Sequence, residues 1–334
     1  MRAFHKYARK LTTRLLAVPV LAATVFAACS CSAGAGKSDK LRIVTTIFPE
    51  YDWVREIAGE RLSDIDLTLL CDNGVDMHSF QPTAQDIIKI SSCDVFVYVG
   101  GESDEWVEDA LKEAVNKDMQ VVNLMEILGG DIVEEEIVEG MQAEEEDDAE
   151  YSEAEPEYDE HVWLSLKNAQ VIVTGIADAM GKADPNNAGT YKTNADNYKN
   201  RLAELDSRYA DAVKNGSANT VLFGDRFPFR YLTDDYNLNY YAAFAGCSAE
   251  TEASFDTVIF LSGKIDELGL KTVLVIESSD QKVAQTIIDN TAAKDQEILV
   301  LDSMQATSSS DIAKGVTYIS VMESNLKVLT KALS

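Results

Sequence analysis

Short apolar runs alternate with segments of helical periodicity along the first half of the chain. The apolar runs are 41–48, 65–70, 94–99 and 120–124, and helical spacing lies between them. The run 94–99 is apolar almost throughout, as expected for a strand that is buried on both faces of a parallel sheet. Strands that alternate with helices predict a mainly parallel sheet with helices on both of its faces.

The second half repeats this order. Its strand-like runs are 220–223, 239–243, 272–276 and 297–301, and a helical stretch at 313–333 closes the chain. We therefore predict an α/β protein with two lobes, each a roughly four-stranded, mainly parallel sheet with flanking helices. The N-terminal lobe is predicted to span 41–165 and the C-terminal lobe 216–334.

A helical segment, 166–215, separates the two lobes. Within it, apolar residues recur at alternating steps of 4 and 3 from Tyr191 to Ala212, which is the spacing of one face of an α-helix. A helix over 187–215 would be about 43 Å long at about 1.5 Å per residue. We predict that this single backbone helix joins the lobes and limits them to small relative motions.

The first 28 residues have the pattern of a signal peptide. Five basic residues precede an apolar stretch, 15–28, which is too short to anchor stably in a bilayer with a hydrocarbon core of about 30 Å. Small residues precede Cys29, as in the lipidation motif of bacterial lipoproteins, and Cys31 is the alternative. We predict that Cys29 is lipidated and that 29–40 is a flexible tether, which places the protein on the outer face of the cell membrane.

Acidic residues dominate the composition. The formal charge is −28, which argues against a nucleic-acid-binding protein, since such proteins need a basic surface. Sixteen acidic residues and no basic residue lie in 131–160, and we predict a disordered surface loop there. The loop would either add solubility alone or collect cations for a nearby site.

Beyond residue 31, the chain has three cysteines, Cys71, Cys93 and Cys247. They are widely spaced and form no CxxC motif, so the sequence gives no support to a thiolate metal site. A disulfide between Cys71 and Cys93 and three buried thiols are both open alternatives.

Two histidines carry the candidate chemistry. His78 follows a predicted strand, and His161 lies where the acidic loop ends. Ligands of open α/β sheets bind beyond the carboxyl ends of the strands, and Asp225, Glu277 and Asp302 each follow a predicted strand of the second half. Imidazole and carboxylate together suit Zn²⁺ or Mn²⁺ better than Cu(I) or Ca²⁺.

The residues around both histidines resemble a known family. Asn73-Gly-Val-Asp-Met-His-Ser-Phe-Gln-Pro-Thr83 and His161-Val-Trp-Leu164 resemble the first two ligand motifs of cluster A-I (cluster 9) substrate-binding proteins, which serve zinc and manganese ABC importers. The resemblance implies two lobes joined by one backbone helix, a lipid anchor, and an ABC permease with its ATPase as partners. It also implies an insertion between the two motifs, where this chain has its acidic loop.

The resemblance implies His78 and His161 as metal ligands and Asp302 as a carboxylate ligand. The family's third ligand stands five residues before a Tyr, and this position is Arg226 here, which cannot bind a cation. Asp225 could replace it through a shifted backbone. Alternatively, Arg226 could pair with an acid and leave the site with three protein ligands.

Glu277 matches a family residue that is more often structural, so we expect Glu277 and Arg226 to support the site. We predict an extracytoplasmic lipoprotein, monomeric, that captures zinc or manganese between its lobes and delivers it without catalysis. A zinc-dependent hydrolase with Glu277 or Asp225 as general base is one alternative, although the sequence has no HExxH or GxSxG motif. A surface adhesin that uses the acidic loop is the other.

Overall fold

The computed structural model describes residues 40–142, 157–248 and 252–334. The predicted signal peptide 1–28, the predicted lipidation site Cys29 and the tether up to residue 39 lie outside these residues. Within the described ranges, no helix is both long enough and apolar enough to cross a membrane.

The elements follow the predicted alternation. The first lobe contains β1 Leu41–Thr45, α1 Phe48–Ala58, β2 Ile65–Leu69, α2 Ala84–Ser92, β3 Val95–Tyr98, α3 Trp106–Lys112, β4 Gln120–Asn123 and α4 Leu124–Leu128. Two helices follow, α5 Leu166–Ala183 and α6 Ala188–Asn215. The second lobe contains β5 Thr220–Phe227, α7 Arg230–Tyr236, β6 Asn239–Ala245, α8 Phe255–Leu268, β7 Thr272–Val275, α9 Lys282–Asp289, β8 Glu297–Val300, α10 Ser309–Ala313 and α11 Tyr318–Ala332.

Each lobe is organised around a four-stranded parallel sheet. The strand orders are β2-β1-β3-β4 and β6-β5-β7-β8, so both sheets have the same topology. The prediction of two α/β lobes joined by a long helix is confirmed. In both sheets the strand order reverses beside the first strand, and ligands of such sheets bind at the carboxyl ends of the strands near this point.

Two element boundaries differ from the prediction near the carboxyl ends of the first strands. The first strand ends at Thr45, and α1 already begins at Phe48 with Pro49 in its first turn, because a proline costs no helical hydrogen bond there. The strand β5 continues beyond the predicted residue 223 to Phe227, and its register with β6 shifts between Phe223 and Arg226. Such an irregularity re-aims the side chains of the strand.

The helix α6 runs along both lobes. It has 28 residues, and the predicted apolar face is buried at Tyr191, Ala195, Tyr198, Leu202, Leu205 and Tyr209. The Nδ2 of Asn194 donates to the carbonyl of Ile57 at 2.9 Å, and the hydroxyl of Tyr209 donates to the carbonyl of Met322 at 2.6 Å. One helix therefore contacts α1 of the first lobe and α11 of the second, as its one-sided pattern predicts.

The described ends of the acidic segment make defined contacts. Glu134 and Tyr158 form an antiparallel bridge, and Gln142 forms a parallel bridge with Phe244 of β6. The prediction of disorder is therefore wrong for 131–142 and 157–160, because backbone pairing there outweighs the repulsion between acidic neighbours. The remainder of the segment, 143–156, lies outside the described residues.

Candidate metal centre

His78 lies on a short 3₁₀ turn, Met77–Ser79, after the carboxyl end of β2. Asp76 caps this turn, since its Oδ1 accepts the backbone N–H of His78 at 3.1 Å. The ring Nδ1 of His78 lies 2.7 Å from Ser103 Oγ and 3.6 Å from Glu160 Oε2. These contacts engage the Nδ1 edge of the imidazole, and its Nε2 lies toward the second histidine.

His161 is fully buried and immediately precedes the 3₁₀ turn Val162–Leu164. The Oδ1 of Asp159 accepts the backbone N–H of His161 at 2.8 Å and lies 3.1 Å from the ring Nδ1. A carboxylate beside Nδ1 keeps the proton on that nitrogen and leaves Nε2 as a lone-pair donor, as in metal-binding histidines. Burial acts to lower the pKa of His161, but the charge and hydrogen bond of Asp159 outweigh it, and the pKa is raised.

The two imidazoles converge through their Nε2 atoms, which lie 3.2 Å apart. In a tetrahedral zinc site with Zn–N bonds of about 2.0–2.1 Å, two such nitrogens are separated by about 3.3 Å. The observed spacing therefore suits two ligands of one ion. Burial, followed by the charge of His161, lowers the pKa of His78 to about 3, so His78 is neutral at physiological pH, the form that coordinates metals.

The amide of Gln305 fills the point toward which both imidazoles are directed. Its Nε2 lies 2.7 Å from the Nε2 of His161 and 3.1 Å from the Nε2 of His78. A metal ion bonded to both imidazoles therefore requires this amide to move. The sequence gives no signal for Gln305, because only the fold brings the loop after β8 to the histidines.

A third donor comes from the second lobe. Cys247 follows β6, and its Sγ and one ring nitrogen each of His78 and His161 all lie within 4.8 Å of one another. In the described part of the chain, His78, His161 and Cys247 form the group of three His, Cys, Asp or Glu side chains whose ligand atoms come this close together. Burial, followed by the charge of Glu135, raises the pKa of the Cys247 thiol, so the thiol is protonated while the site is empty.

The sequence marks Cys247 only by its position after a strand, the criterion that also selects Asp225, Glu277 and Asp302. The absence of a CxxC motif points away from it. The other cysteines in the described residues, Cys71 and Cys93, are buried free thiols. Of the two alternatives that the sequence leaves open, a Cys71–Cys93 disulfide is therefore absent from the described structure. Both have a pKa raised by burial.

Asp302 and Glu277 lie at strand ends, as predicted, but outside the group of three donors. The Oδ1 of Asp302 accepts the N–H of Met304 at 2.8 Å. Burial, followed by the charge of Glu277, raises the pKa of Asp302 to about 7. Glu277 accepts the N–H of Ser303 at 2.8 Å and its hydroxyl at 3.0 Å, and these bonds hold the loop that carries Gln305.

Asp225 and Arg226 lie in the irregular part of β5. The Nη2 of Arg226 donates to Asp76 Oδ2 at 2.6 Å. Of the two possibilities considered for Arg226 from the sequence, this is the one in which the arginine pairs with an acid. This bond joins the second lobe to the residue that caps the His78 turn. The Oδ1 of Asp225 accepts the N–H of Arg226 at 2.8 Å, and Asp225, like Asp302, lies outside the group of three donors.

Two buried carboxylate oxygens that the described part of the chain leaves without a hydrogen-bond partner favour a cation. Asp225 Oδ2 and Glu160 Oε2 are both buried and have no hydrogen-bond partner among the described residues. Burial raises the pKa of Glu160, which is the cost of holding a carboxylate away from water. A bound cation would lower this cost, and the Nε2 atoms of the two imidazoles would supply its ligands.

The fold and these donors define a two-lobed, helix-linked binding protein with a candidate metal centre between its lobes. The comparison with family models agrees: the model for zinc-uptake complex component A, periplasmic (ZnuA), matches residues 43–332. The chain belongs to this family, and the resemblance seen in the two histidine motifs is confirmed.

Relatives and solved structures agree with this membership. The high-affinity zinc uptake system protein ZnuA of Bacillus subtilis (strain 168) is 31% identical over 312 residues, which are 92% of this chain and 93% of that protein. The zinc-binding protein AdcA of Streptococcus pyogenes serotype M3 is 29% identical over 296 residues, 87% of this chain, and the match spans only 55% of AdcA. The Zn(II)-bound ZnuA-like domain of Streptococcus pneumoniae AdcA has a TM-score of 0.68 at 27% identity, and the match covers 88% of this chain and 99% of that domain.

Proposed function

We propose that this chain captures Zn²⁺ between its lobes outside the cytoplasm and delivers it to an ABC permease and its ATPase. The observation that carries the proposal is the pair of imidazole Nε2 atoms 3.2 Å apart. Each ring has an oxygen beside its Nδ1, at 2.7 Å for His78 and 3.1 Å for His161. Membership of a zinc-uptake family supports zinc as the cargo, and manganese is the competing ion.

His78 and His161 are the proposed nitrogen ligands, and Asp302 and Asp225 remain the candidate carboxylate ligands. Asp302 would have to release the N–H of Met304 and turn toward the imidazoles. Asp225 already has one oxygen without a partner among the described residues, but a shift of β5 would be needed. Two imidazoles favour zinc over manganese, because manganese prefers oxygen ligands.

The proposed location follows from the N-terminal sequence pattern. Lipidation of Cys29 would anchor the protein to the outer face of the membrane through the tether 29–40. Metabolic labelling with a fatty acid tests this: label should be lost in Cys29→Ala and kept in Cys31→Ala, and the reverse result would assign the anchor to Cys31.

Isothermal titration of the metal-free chain with Zn²⁺ and Mn²⁺ tests the capture function. His78→Gln and His161→Gln should each lower the zinc affinity by at least about 100-fold, which exceeds the 10–100-fold loss typical of removing an outer hydrogen bond. Asp109→Asn is the control, because that side chain is 86% exposed on α3, and its affinity should be unchanged. The absence of a tight zinc site, or histidine variants that bind as the parent does, would refute the proposal.

The hydrolase alternative is weakened by the contacts of one of its two candidate bases, Glu277. Both oxygens of Glu277 accept hydrogen bonds from Ser303, and one also accepts the N–H of Ala306. Glu277 is therefore not available to activate a water molecule without unfolding this loop. Turnover of an ester or peptide by the zinc-loaded chain would restore this alternative.

A further inference from the structure

We propose that Cys247 is the third protein ligand and binds the zinc ion as a thiolate, so that the two lobes close on a His₂Cys site. The inference rests on the proposed capture of zinc and concerns the identity of the ligand from the second lobe. Its starting point is geometric: the Sγ of Cys247 and a ring nitrogen of each histidine lie within 4.8 Å of one another.

The turn after β6 is built for a close approach to His161. A Cβ atom at Gly246 would lie 2.9 Å from the Cε1 of His161 and 3.0 Å from the carbonyl oxygen of Phe227. Only glycine therefore lets this backbone pack against the imidazole, and the next side chain along is that of Cys247. The backbone N–H of Cys247 donates to Glu135 Oε1 at 3.2 Å, which fixes the turn from the other side.

The other candidate donors of the second lobe lie outside the group of three donors. Arg226 occupies the position of the family's third ligand but is bound to Asp76 at 2.6 Å. Asp302 accepts the N–H of Met304. Asp225 accepts the N–H of Arg226 through Oδ1, and its Oδ2 has no partner among the described residues but lies outside the group of three donors. Apart from the Gln305 amide, which has to withdraw from a bound ion, the thiol is thus the group from this lobe that the described structure brings to both imidazoles.

A small movement completes the coordination. With Zn–S bonds of about 2.3 Å and Zn–N bonds of about 2.0–2.1 Å, sulfur and nitrogen in a tetrahedral site are about 3.6 Å apart. Closing from the present spacing, within 4.8 Å, is on the scale of a small lobe motion about a linking helix. Gln305 withdraws from between the rings, the S–H bond breaks as the Zn–S bond forms, and the proton passes to water.

A sulfur ligand would also set the choice of metal. Thiolate favours zinc, whereas Mn²⁺ prefers carboxylate, carbonyl and water oxygens. A His₂Cys site therefore discriminates against manganese more strongly than a site of two histidines and a carboxylate. The discrimination would come from Cys247, and its removal should reduce the preference for zinc.

Cobalt(II) absorption spectroscopy on the reduced chain tests the thiolate directly. Co²⁺ in the wild-type site should give an intense near-ultraviolet thiolate-to-metal charge-transfer band together with the visible bands of tetrahedral cobalt. Cys247→Ser should lose the charge-transfer band and keep cobalt binding through the histidines. Cys71→Ala and Cys93→Ala should keep the band, since these thiols are not part of the group of three. The double variant Cys29→Ser/Cys31→Ser should keep it as well if Cys247 supplies the sulfur.

The outcomes distinguish failure of the Cys247 proposal from failure of the proposed zinc capture. A wild-type site that binds cobalt without the charge-transfer band overturns the Cys247 proposal and leaves zinc capture standing. A chain that binds no cobalt and no zinc overturns both. A second measurement is the zinc-to-manganese affinity ratio, which should fall by at least about tenfold in Cys247→Ser, and an unchanged ratio would count against the thiolate.

Discussion

Arg226 and Asp76 form an ion pair between the lobes, directly beside the candidate metal centre. Arg226 belongs to β5 of the second lobe, and Asp76 caps the turn that carries His78 in the first lobe. Their 2.6 Å bond therefore couples the relative position of the lobes to the position of one metal ligand. We expect its loss to lower the stability of the metal-free protein by more than a surface ion pair would.

The burial of the two side chains sets the magnitude. They are 17% and 20% exposed, so solvent screens the pair only in part. A hydrogen bond to a charged group in such a setting contributes roughly 1.5–3 kcal/mol, whereas an exposed ion pair contributes roughly 0.2–1 kcal/mol. The coupling between Arg226 and Asp76 should fall in the first range.

The pair should also have a defined pH dependence. Burial acts to raise the pKa of Asp76, but the charge and hydrogen bond of Arg226 outweigh it, and the pKa is lowered. A carboxylate with a lowered folded-state pKa contributes stability above its unfolded value of about 3.9, and loses it as the pH falls through the folded value. The coupling should therefore be constant around neutral pH and disappear only in acid.

A double-mutant cycle in urea unfolding measures this coupling. The variants are Asp76→Asn, Arg226→Gln and the two combined, all metal-free so that ligand binding does not add to the free energy of unfolding. The control cycle uses Arg208 and Glu323, a 2.8 Å pair between α6 and α11 whose side chains are 52% and 43% exposed. Equal coupling energies in the two cycles would refute the argument, since burial is the difference between the pairs.

Three further outcomes are expected. Asp159→Asn should lower the zinc affinity in isothermal titration by roughly 10–100-fold, because the carboxylate orients His161, while Asp109→Asn should not; equal affinities would exclude this role. Burial raises the pKa of Asp52 to about 6, so its contribution to stability is fully present below about 3.9 and is lost as the pH rises through 6. Asp52→Asn should remove up to about 3 kcal/mol of this pH dependence in urea unfolding, and parallel pH profiles would contradict it. Deletion of 143–156 should leave the zinc affinity unchanged, because the pairing of Glu134 with Tyr158 remains; a weaker site would instead support cation collection by the loop, and lost surface adhesion would support the adhesin alternative.

The fold could be predicted because its apolar pattern is regular over long stretches. The face of α6 shows this best, since the positions from Tyr191 to Tyr209 that recur at steps of 4 and 3 are buried. Boundaries were less predictable, because the extension of β5 to Phe227 depends on pairing with β6 and not on its own sequence. The prediction of disorder in the acidic segment was wrong at its ends for the same reason. Gln142 pairs with Phe244 of the other lobe, and the local composition does not encode that contact.

The first lobe's share of the candidate site was visible in the sequence because each histidine is held by its own neighbours. Asp76 binds the backbone of His78 two residues away, and Asp159 does the same for His161. Such local motifs keep their geometry wherever the fold places them. The distance of 3.2 Å between the two Nε2 atoms then needs only that the two turns meet at one edge of the sheet.

The second lobe's share has no such local basis. The sequence shows that Arg226 cannot coordinate a cation, but the register shift in β5 and the glycine at 246 decide which group takes its place. The group that we propose is the thiol of Cys247, 169 positions from His78, and no motif marks the Gln305 amide that lies beside the two imidazoles. Because sulfur, carboxylate and amide favour different metals, the choice between zinc and manganese depends on this part of the site, where the contacts between loops and not the local sequence determine the ligand.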